Sequence, residues 1–464
     1  MKLKVFGAAG GEVTGSAYLV RTDRSEVLVD AGMFQGGKAS EIKNKLPKGS
    51  TPDKIDAVLL THGHLDHTGR VPLLIKYGYN GPIYSTRETL DLAQIILEDS
   101  ARLQAFDAMR QNRKAWKNNL PMVEPLYSSE HVHYMKELTR PIKFNTSVKI
   151  TEDISARWLE AGHMLGSGSI ELTVNENGVS KTIVFSGDLG PLTLPLIRPF
   201  SHFTKADLVI MESTYGDRDH KSYEATLEEF ESIITEAQKT GGKMIIPTFA
   251  IGRAQQIIYH LAEMFHNKKV KPFPVYLDSP MALKALDVYG NHQDLLDEEF
   301  QELKRRGAFP LNRDYFFASA SAESSKALND IKGPCLILAG AGMCNGGRIL
   351  HHLFHNVSNP NAHIIIVGYQ GYGSIGRRLV EKTEKIRLFG EDKKVNANVH
   401  TLNGFSAHAG QTDLMSWFSH LAPSKPRLVI THGEEGPRNA LARLIRKKYK
   451  INAVLPKIGE VIEV

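Results

Sequence analysis

The chain has 464 residues, which predicts two or more folding units at roughly 150 residues per domain. Hydrophobic residues make up 42% and charged residues 23%, so the composition excludes a disordered chain and a coiled coil and is typical of globular proteins. The formal net charge of +6 is mild and does not by itself predict nucleic-acid binding, which needs a clustered basic patch.

Two further absences in the sequence bear on the compartment. Cys335 and Cys344 are the only cysteines, which excludes a disulfide framework and a four-cysteine zinc site and indicates a reducing compartment. The N-terminal residues Met1–Gly11 hold no long apolar core, and no run of about 18 apolar residues occurs. We therefore predict a cytoplasmic protein with no membrane segment.

Apolar runs of strand length recur along the whole chain, and several precede segments with helical spacing, which predicts an α/β protein. Helical spacing is clearest in Thr89–Leu103 and Thr226–Ala237. No linker is long enough to separate two domains, so a second domain would be inserted into the first. The predicted strands are Lys2–Val5, Glu26–Val29, Ala57–Leu60, Thr182–Phe185, Leu208–Met211, Met244–Ile246, Val275–Leu277, Cys335–Leu338, His363–Val367 and Leu428–Ile430.

The C-terminal segment Lys425–Val464 has nine basic and four acidic residues, which predicts a basic surface. The favoured interpretation is the solvated face of a helix that buries Leu441, Leu444 and Ile445, rather than a nucleic-acid patch. The residues assigned to that solvated face are Arg438, Arg443, Arg446, Lys447 and Lys450.

The strongest chemical signal is the segment THGHLDH, residues 61–67, directly after the predicted strand Ala57–Leu60. It holds four metal-ligand side chains: His62, His64, Asp66 and His67. On a helix the first two would diverge by about 200°, so they can share a metal only from a loop, which Gly63 permits. Adjacent Asp66 and His67 tend to point apart, which favours a second metal.

Each such site needs three or four protein ligands, so partners must come from elsewhere in the chain. His163, Asp188 and His432 are candidates, because the last two closely follow strand-like runs and stand beside glycine, as the first cluster does. Asp30, at the end of Glu26–Val29, is a poorer ligand candidate, since a hydrogen bond that orients the cluster explains it equally well.

Together these residues resemble the metallo-β-lactamase superfamily, and within it the β-CASP branch of nucleases. Glu212 in VIMESTYG resembles the acidic motif A of that branch, and His408 in GFSAHAG resembles motif B. His432 resembles motif C, where RNA-processing members carry histidine and DNA-repair members carry valine. The resemblance covers essentially the whole chain.

The resemblance implies an α/β fold: a metallo-β-lactamase αββα sandwich with an inserted β-CASP α/β domain. The two parts of the first domain are predicted at residues 1–216 and 404–464, and the insertion at 217–403. The long interval between Asp188 and His432 agrees with an insertion, since ligands of one site are otherwise joined by short connections.

The resemblance also implies two Zn²⁺ ions per chain and assigns their ligands. One zinc is assigned to His62, His64 and His163, and the other to Asp66, His67 and His432, with Asp188 as the bridge. A hydroxide held between two such ions would attack the phosphodiester bond. The implied catalytic residues are Asp66 and Asp188 with the general acid His408, which Glu212 orients.

Three glycine-containing segments of the insertion follow strands and precede helix-like stretches, an arrangement that suits phosphate binding. Taken alone, each segment is weak evidence, because glycine turns in α/β folds are usually connections. The arginines predicted to contact RNA phosphates are Arg253, Arg348, Arg377 and Arg378.

The predicted function is a zinc-dependent ribonuclease acting on single-stranded RNA and leaving a 5′-phosphate and a 3′-hydroxyl. Two alternatives stay open: a small-molecule hydrolase of the same superfamily, acting on thioesters, lactones or lactams, and a non-catalytic RNA-binding paralogue. The sequence predicts no homo-oligomer and does not exclude one. Neither the physiological RNA nor the choice between endonuclease and 5′-exonuclease follows from it.

Overall fold

A computed structural model describes residues 1–36, 40, 42–47, 51–193, 195–306 and 314–464. Its chain divides into two compact units. Unit 1 comprises Met1–Leu192, Pro199–Asp219 and His408–Val464, and unit 2 comprises Thr193–Arg198 and His220–Ala407. These divisions differ by three and four residues from the insertion limits predicted at 217 and 403, and sequence analysis did not assign the segment Thr193–Arg198 to the inserted unit.

The strands and helices of both units are numbered in chain order. The described strands are β1 (Lys2–Val5), β2 (Tyr18–Arg21), β3 (Glu26–Val29), β4 (Ala57–Leu59), β5 (Ile83–Thr86), β6 (Thr139–Ile142), β7 (Val148–Lys149), β8 (Ile154–Glu160), β9 (Gly168–Glu176), β10 (Val179–Phe185), β11 (Leu208–Met211), β12 (Lys243–Pro247), β13 (Val275–Asp278), β14 (Phe316–Ala318), β15 (Cys335–Ala339), β16 (His363–Ile366), β17 (Lys385–Leu388), β18 (Glu391–Lys394), β19 (Asn398–Thr401), β20 (Arg427–Ile430), β21 (Ala453–Val454) and β22 (Val461–Glu463). The described α-helices are α1 (Leu65–Thr68), α2 (Val71–Lys76), α3 (Arg87–Lys117), α4 (Ser129–Leu138), α5 (Tyr223–Thr240), α6 (Arg253–His266), α7 (Pro280–Asn291), α8 (Glu298–Arg305), α9 (Ala322–Ala327), α10 (Ile349–Asn356), α11 (Ile375–Val380), α12 (Gln411–Ser419) and α13 (Glu435–Tyr449). Every predicted strand overlaps an observed one. Nowhere in the described ranges is a helix both long and apolar enough to cross a lipid bilayer.

Unit 1 contains two seven-stranded sheets, with the orders β22-β1-β2-β3-β4-β5-β6 and β21-β20-β11-β10-β9-β8-β7. Side chains alternate between the two faces of a strand, so each sheet can bury both faces. In β4, Ala57 and Leu59 join a core shared by the two sheets, whereas Val58 packs with residues of α2, α3 and α4. Helices α12 and α13 cover the outer face of the second sheet. Unit 1 is therefore layered helix, sheet, sheet, helix.

Strand β11 pairs in parallel with β20, although the long segment His220–Ala407 of unit 2 lies between them in the chain. Unit 2 contains a parallel six-stranded sheet of order β14-β13-β15-β12-β16-β19 and a two-stranded ribbon of β17 and β18. The central strands β12, β15 and β16 of this sheet are short, largely apolar runs that are almost wholly buried. Such runs are typical of parallel sheets covered on both faces.

Helix α3 is longer than the sequence predicted, because it continues beyond Leu103 to Lys117. In this second half the buried residues are small: Ala101, Ala108 and Ala115 recur every seven residues, while larger apolar residues around them are exposed. A search for large apolar residues at helical spacing therefore misses the extension.

The prediction for the C-terminal helix was wrong at one residue. Arg438 is buried rather than solvated, and it donates hydrogen bonds to the carbonyl oxygens of Ile430 and Pro456. Burial lowers its pKa. Arg438 therefore ties α13 to the end of β20, while Arg443, Arg446, Lys447 and Lys450 are exposed as predicted.

Candidate metal centre and active site

The predicted metal ligands, together with Asp30 and Glu212, follow strand ends within unit 1. In the second sheet β8, β10, β11 and β20 run in the same direction, and their carboxyl ends precede His163, Asp188, Glu212 and His432. In the first sheet the parallel strands β3 and β4 precede Asp30 and the segment 61–67. Carboxyl ends of parallel strands meet at one edge, so residues distant in sequence come together.

The first group of potential ligands consists of His62, His64, His163 and Asp188. Nδ1 of His64 lies 3.1 Å from Nε2 of His62 and 3.1 Å from Nε2 of His163. Oδ2 of Asp188 lies 3.5 Å from Nε2 of His62 and 3.6 Å from Nε2 of His163. His62 and His64 precede helix α1 in a turn, and their ring atoms point to one place.

The second group consists of Asp66, His67, His432 and again Asp188, which contributes its other oxygen. Oδ1 of Asp188 lies 3.2 Å from Nε2 of His67 and 3.4 Å from Nε2 of His432. Nε2 of His432 lies 3.5 Å from Oδ2 of Asp66. Asp188 therefore faces both groups.

These separations fit tetrahedral metal sites, in which ligand atoms about 2.0–2.2 Å from the ion lie about 3.3–3.5 Å apart. Oδ1 of Asp188 is buried and accepts no hydrogen bond from any described residue, although two imidazole nitrogens lie near it. A buried carboxylate oxygen without a hydrogen bond is costly unless a cation neutralises it. The residues therefore fit a pair of divalent ions, one in each group.

Further hydrogen bonds fix the orientation of three imidazoles, as is usual for metal-binding histidines. Nδ1 of His67 lies 2.7 Å from Oδ2 of Asp30, and Nδ1 of His432 lies 3.1 Å from Oγ1 of Thr214. Oγ1 of Thr61 lies 3.1 Å from Nδ1 of His62 and donates to Asp30. Asp30 belongs to neither ligand group, and its orienting role stays a prediction.

Two glycines allow the ligand loops to approach their neighbours. A Cβ at Gly32 would lie 1.5 Å from the carbonyl oxygen of Asp66, and one at Gly190 would lie 1.7 Å from that of Gly162, next to His163. Any side chain at these positions would displace the backbone that carries a ligand.

The electrostatics differ from one potential ligand to the next. Burial and the neighbouring His67 lower the pKa of His62 well below its usual value, so the ring is neutral. Burial alone would raise the pKa of Asp188, but His432 and His67 outweigh it and lower that pKa well below its usual range. Burial would lower the pKa of His67, but Asp188 and Asp30 outweigh burial and raise it well above its usual value, so a metal that binds His67 must displace a proton.

His408 and Glu212 lie against the first group. Nδ1 of His408 is 3.4 Å from Oε1 of Glu212 and 3.9 Å from Oδ2 of Asp188, and its ring centroid is 4.6 Å from that of His163. Oε1 and Oε2 of Glu212 also accept from the backbone N–H groups of Leu189 and Thr214. Burial would lower the pKa of His408, but the Glu212 carboxylate outweighs burial and raises it.

Sequence comparisons agree with this arrangement. The family model of the metallo-beta-lactamase superfamily matches residues 10–236, and that of the Beta-Casp domain matches residues 254–379. A third model, the Zn-dependent metallo-hydrolase RNA specificity domain, matches residues 392–456. "Ribonuclease TTHA0252" of Thermus thermophilus is 39% identical over the full length of both chains.

The chain belongs to the metallo-beta-lactamase superfamily, in its β-CASP branch. The "Transcription termination factor FttA" of Methanocaldococcus jannaschii is a further relative, 30% identical over 98% of this chain and 70% of its own. A crystal structure of a protein of unknown function from Enterococcus faecalis V583 shares the fold, with a TM-score of 0.55 and 16% identity over 99% of both chains. The predicted fold class is confirmed, and the chain is a metal-dependent hydrolase of the nuclease branch.

The four arginines predicted to bind RNA phosphates lie in unit 2 of this β-CASP protein and already have partners within it. Arg348 pairs with Asp278, with Nη1 2.6 Å from Oδ1, and Arg377 pairs with Glu381 one turn away. Arg253 is buried, and Arg378 donates to the carbonyl oxygen of Lys385. Their role in RNA binding stays a prediction.

Sequence analysis missed two residues of this metallo-β-lactamase site, Thr61 and Thr214. Both threonines lie in the motifs THGHLDH and ESTYG, but a hydroxyl is a weaker sequence signal for a metal site than a carboxylate or an imidazole. A threonine adjacent to ligand positions is a usable signal, because its hydroxyl can hold the second ring nitrogen of a histidine.

Proposed function

We propose that this chain is a zinc-dependent ribonuclease that hydrolyses phosphodiester bonds in single-stranded RNA. The observation that carries the proposal is the His408–Glu212 pair beside two ligand groups that share Asp188. A plain hydrolytic site needs only the ligands, whereas the pair adds a proton donor for a leaving oxygen. The names of the relatives, a ribonuclease and a transcription termination factor, support RNA as the substrate.

Zinc is proposed from the ligand chemistry. Each group offers histidine nitrogens and carboxylate oxygens at separations suited to tetrahedral coordination, and histidine-rich sites favour zinc over magnesium or calcium. The ligands proposed for one ion are His62, His64 and His163, with Asp188 shared. Those for the other ion are Asp66, His67 and His432. When bound, two such ions supply a nucleophile from water near neutral pH and offset the charge of a phosphate.

Two side chains of the protein, His408 and Glu212, are proposed to supply the proton for the leaving group. His408 is proposed to carry a proton on its ring and to deliver it to the ribose oxygen that leaves, which yields a 3′-hydroxyl and a 5′-phosphate. Glu212 keeps the imidazole protonated and oriented through the 3.4 Å contact to Nδ1. The backbone donors of Leu189 and Thr214 hold that carboxylate in place.

Access to the site supports a single strand rather than a duplex. The side chains of Asp66 and His408 are only 17% and 18% exposed and His64 is half-buried, while the remaining proposed ligands are at most about 5% exposed. A recessed site admits one extended strand more easily than a rigid double helix. The RNA specificity family match over residues 392–456 includes both His408 and His432. We further propose a cytoplasmic location, based on the two free, buried cysteines.

The test uses purified protein with labelled single-stranded RNA, single-stranded DNA and a chromogenic lactam, each with and without a strong chelator. We expect chelator-sensitive cleavage of RNA that is lost in Asp66→Ala. Turnover of the lactam without nuclease activity, or RNA binding without cleavage, would contradict the proposal and indicate a small-molecule hydrolase or a non-catalytic paralogue.

A second variant tests the proton donor. His408→Ala should slow RNA cleavage by about 10²- to 10⁴-fold, the usual contribution of a general acid, while the metal content stays unchanged. Elemental analysis of the purified variant measures the metal. Loss of the metals from His408→Ala would show that this residue is a ligand instead.

A further inference from the structure

The second half of helix α3 and the segment that follows it form an arm, residues 102–126. Three side-chain contacts hold the returning segment against the helix. Asn112 bonds both the N–H and the C=O of Val123, Gln104 accepts from the N–H of Leu126, and the hydroxyl of Tyr127 donates to Ser100. Alanines 108 and 115 are buried. The arm is therefore ordered by its own contacts.

The outer surface of the arm combines exposed apolar side chains with unpaired cations. Seven of the eighteen large apolar side chains that are exposed among the described residues lie here, and Trp116 is 73% exposed. Residues 108–123 hold four basic side chains and no acidic one. Within the described ranges no carboxylate pairs with any of the four, which are Arg110, Arg113, Lys114 and Lys117.

Phe106 and three of the four basic side chains share one face of the helix, which Lys114 and Trp116 flank on either side. Phe106, Arg110, Arg113 and Lys117 are spaced by four, three and four residues, which places them in one row opposite the buried alanines. Single-stranded nucleic acid is bound by this combination, in which cations follow the phosphates and aromatic rings stack on bases.

A second copy of the chain fits this surface less well. In a symmetric dimer the same patch of both chains would lie face to face. The four unpaired cations of one chain would then face the same four cations of the other. Like charges juxtaposed across an interface cost several kcal/mol. The polyanionic backbone of RNA complements the same charges.

Helix α3, whose second half belongs to the arm, starts next to the metal site. At the first turn of α3 the hydroxyl of Thr89 donates to the carbonyl oxygen of Gly166, close to His163, and Gly63 lies against Ala93. From Ala93 to Trp116 the helix advances by about 35 Å at 1.5 Å per residue. A stacked strand that advances about 3.4 Å per nucleotide covers this distance with about ten nucleotides.

We propose that the arm is a second RNA-binding surface, which holds single-stranded RNA about ten nucleotides away from the bond that is cleaved. The proposal rests on the proposed ribonuclease function for its choice of nucleic acid. It adds a site that requires neither metal nor cleavage, so the two can fail separately.

Binding is measured on the cleavage-deficient Asp66→Ala background with a labelled 30-nucleotide single-stranded RNA across a salt titration. Replacing the four arm cations by serine should weaken RNA binding. It should also flatten the slope of the logarithm of the association constant against the logarithm of the salt concentration by up to about 3, because each lost phosphate contact contributes about 0.7. Trp116→Ala should weaken binding by about 5- to 150-fold if it stacks on one base.

The matched control replaces Lys136, Arg140, Lys143 and Lys149 of unit 1 by serine. These four residues are also exposed and carry the same total charge. We expect them to alter the salt slope far less. Equal effects of both quadruple variants would overturn the proposal, because they would show only a response to net charge.

Length dependence gives an independent readout in the active enzyme. The arm variants should lower kcat/KM for the 30-nucleotide RNA and leave kcat/KM for a six-nucleotide RNA unchanged, since the short substrate cannot reach the arm. Thermal unfolding checks that the variants fold. RNA binding that stays unchanged while light scattering shows a change of oligomeric state would overturn the proposal in favour of a protein interface.

Discussion

Two buried aspartates, one in each unit, lie at the carboxyl ends of parallel strands beside histidines, yet their surroundings differ. Asp188 in unit 1 faces five imidazoles, and its Oδ1 accepts no hydrogen bond from a described residue. Asp278 in unit 2 is saturated, with Arg348, Ser325 and His352 at 2.6, 2.6 and 2.7 Å. The first arrangement leaves charge for a metal, and the second already has its cation.

The difference lies in the donors rather than in the aspartates. Burial would raise the pKa of Asp278, but hydrogen bonds led by that of His352 outweigh it and lower this pKa to about 2. A guanidinium brings both positive charge and N–H groups, so the charge of Asp278 is offset within the protein without a metal ion. Similar residue types therefore produce a candidate metal centre in one unit and an internal ion pair in the other.

Asp188→Asn should give the largest effect and separate the two aspartates. An amide lacks the charge needed to bridge two cations, so we expect metal content to fall below half and RNA cleavage to reach the chelator background. The Asp278→Asn variant should keep the full metal content of the protein. Its free energy of unfolding should fall by about 3–5 kcal/mol, because Arg348 loses its charged partner. Elemental analysis and urea unfolding measure both quantities. Full metal in Asp188→Asn, or metal loss in Asp278→Asn, would contradict the comparison.

Asp30→Asn should have an intermediate effect. The amide weakens the 2.7 Å contact that orients His67, and loss of such a contact typically lowers metal affinity or activity by about 10- to 100-fold. Its counterpart in unit 2 is Ser325→Ala, which removes one hydrogen bond to Asp278 and should cost about 1 kcal/mol without changing metal affinity. Competition with a chromogenic chelator measures the affinity. Equal affinities of Asp30→Asn and the native protein would argue against the orienting role.

Glu212→Gln should produce the smallest change, a shift in pH dependence. The carboxylate raises the pKa of His408, and a general acid works only when protonated, so kcat/KM falls as the pH rises through that raised pKa. The neutral amide lowers the pKa, so the descending limb should move to lower pH. His408→Ala is the control, since it should lack this limb altogether. A limb at the same pH in Glu212→Gln would assign it to another group.

Local sequence predicts some features of this protein and misses others. Residues 61–67 could be interpreted without a structure, because four ligand side chains in seven positions restrict the possible chemistry. The extension of α3 could not, since Ala101, Ala108 and Ala115 carry little hydrophobic signal. Arg438 resembled a solvated residue because its partners, the carbonyls of Ile430 and Pro456, are invisible in a pattern of side chains.

Sequence alone determined ten of the 22 described strands, the α/β class and the ligand-rich turn, since these follow from hydrophobic periodicity and from residues that are neighbours in the chain. Tertiary structure decided which carboxylate keeps its charge available: Asp188 meets imidazole nitrogens, whereas Asp278 meets Arg348. The reason is that the affinity of a carboxylate for a cation depends on the donors around it in space. Those donors come from strands and helices far apart in sequence.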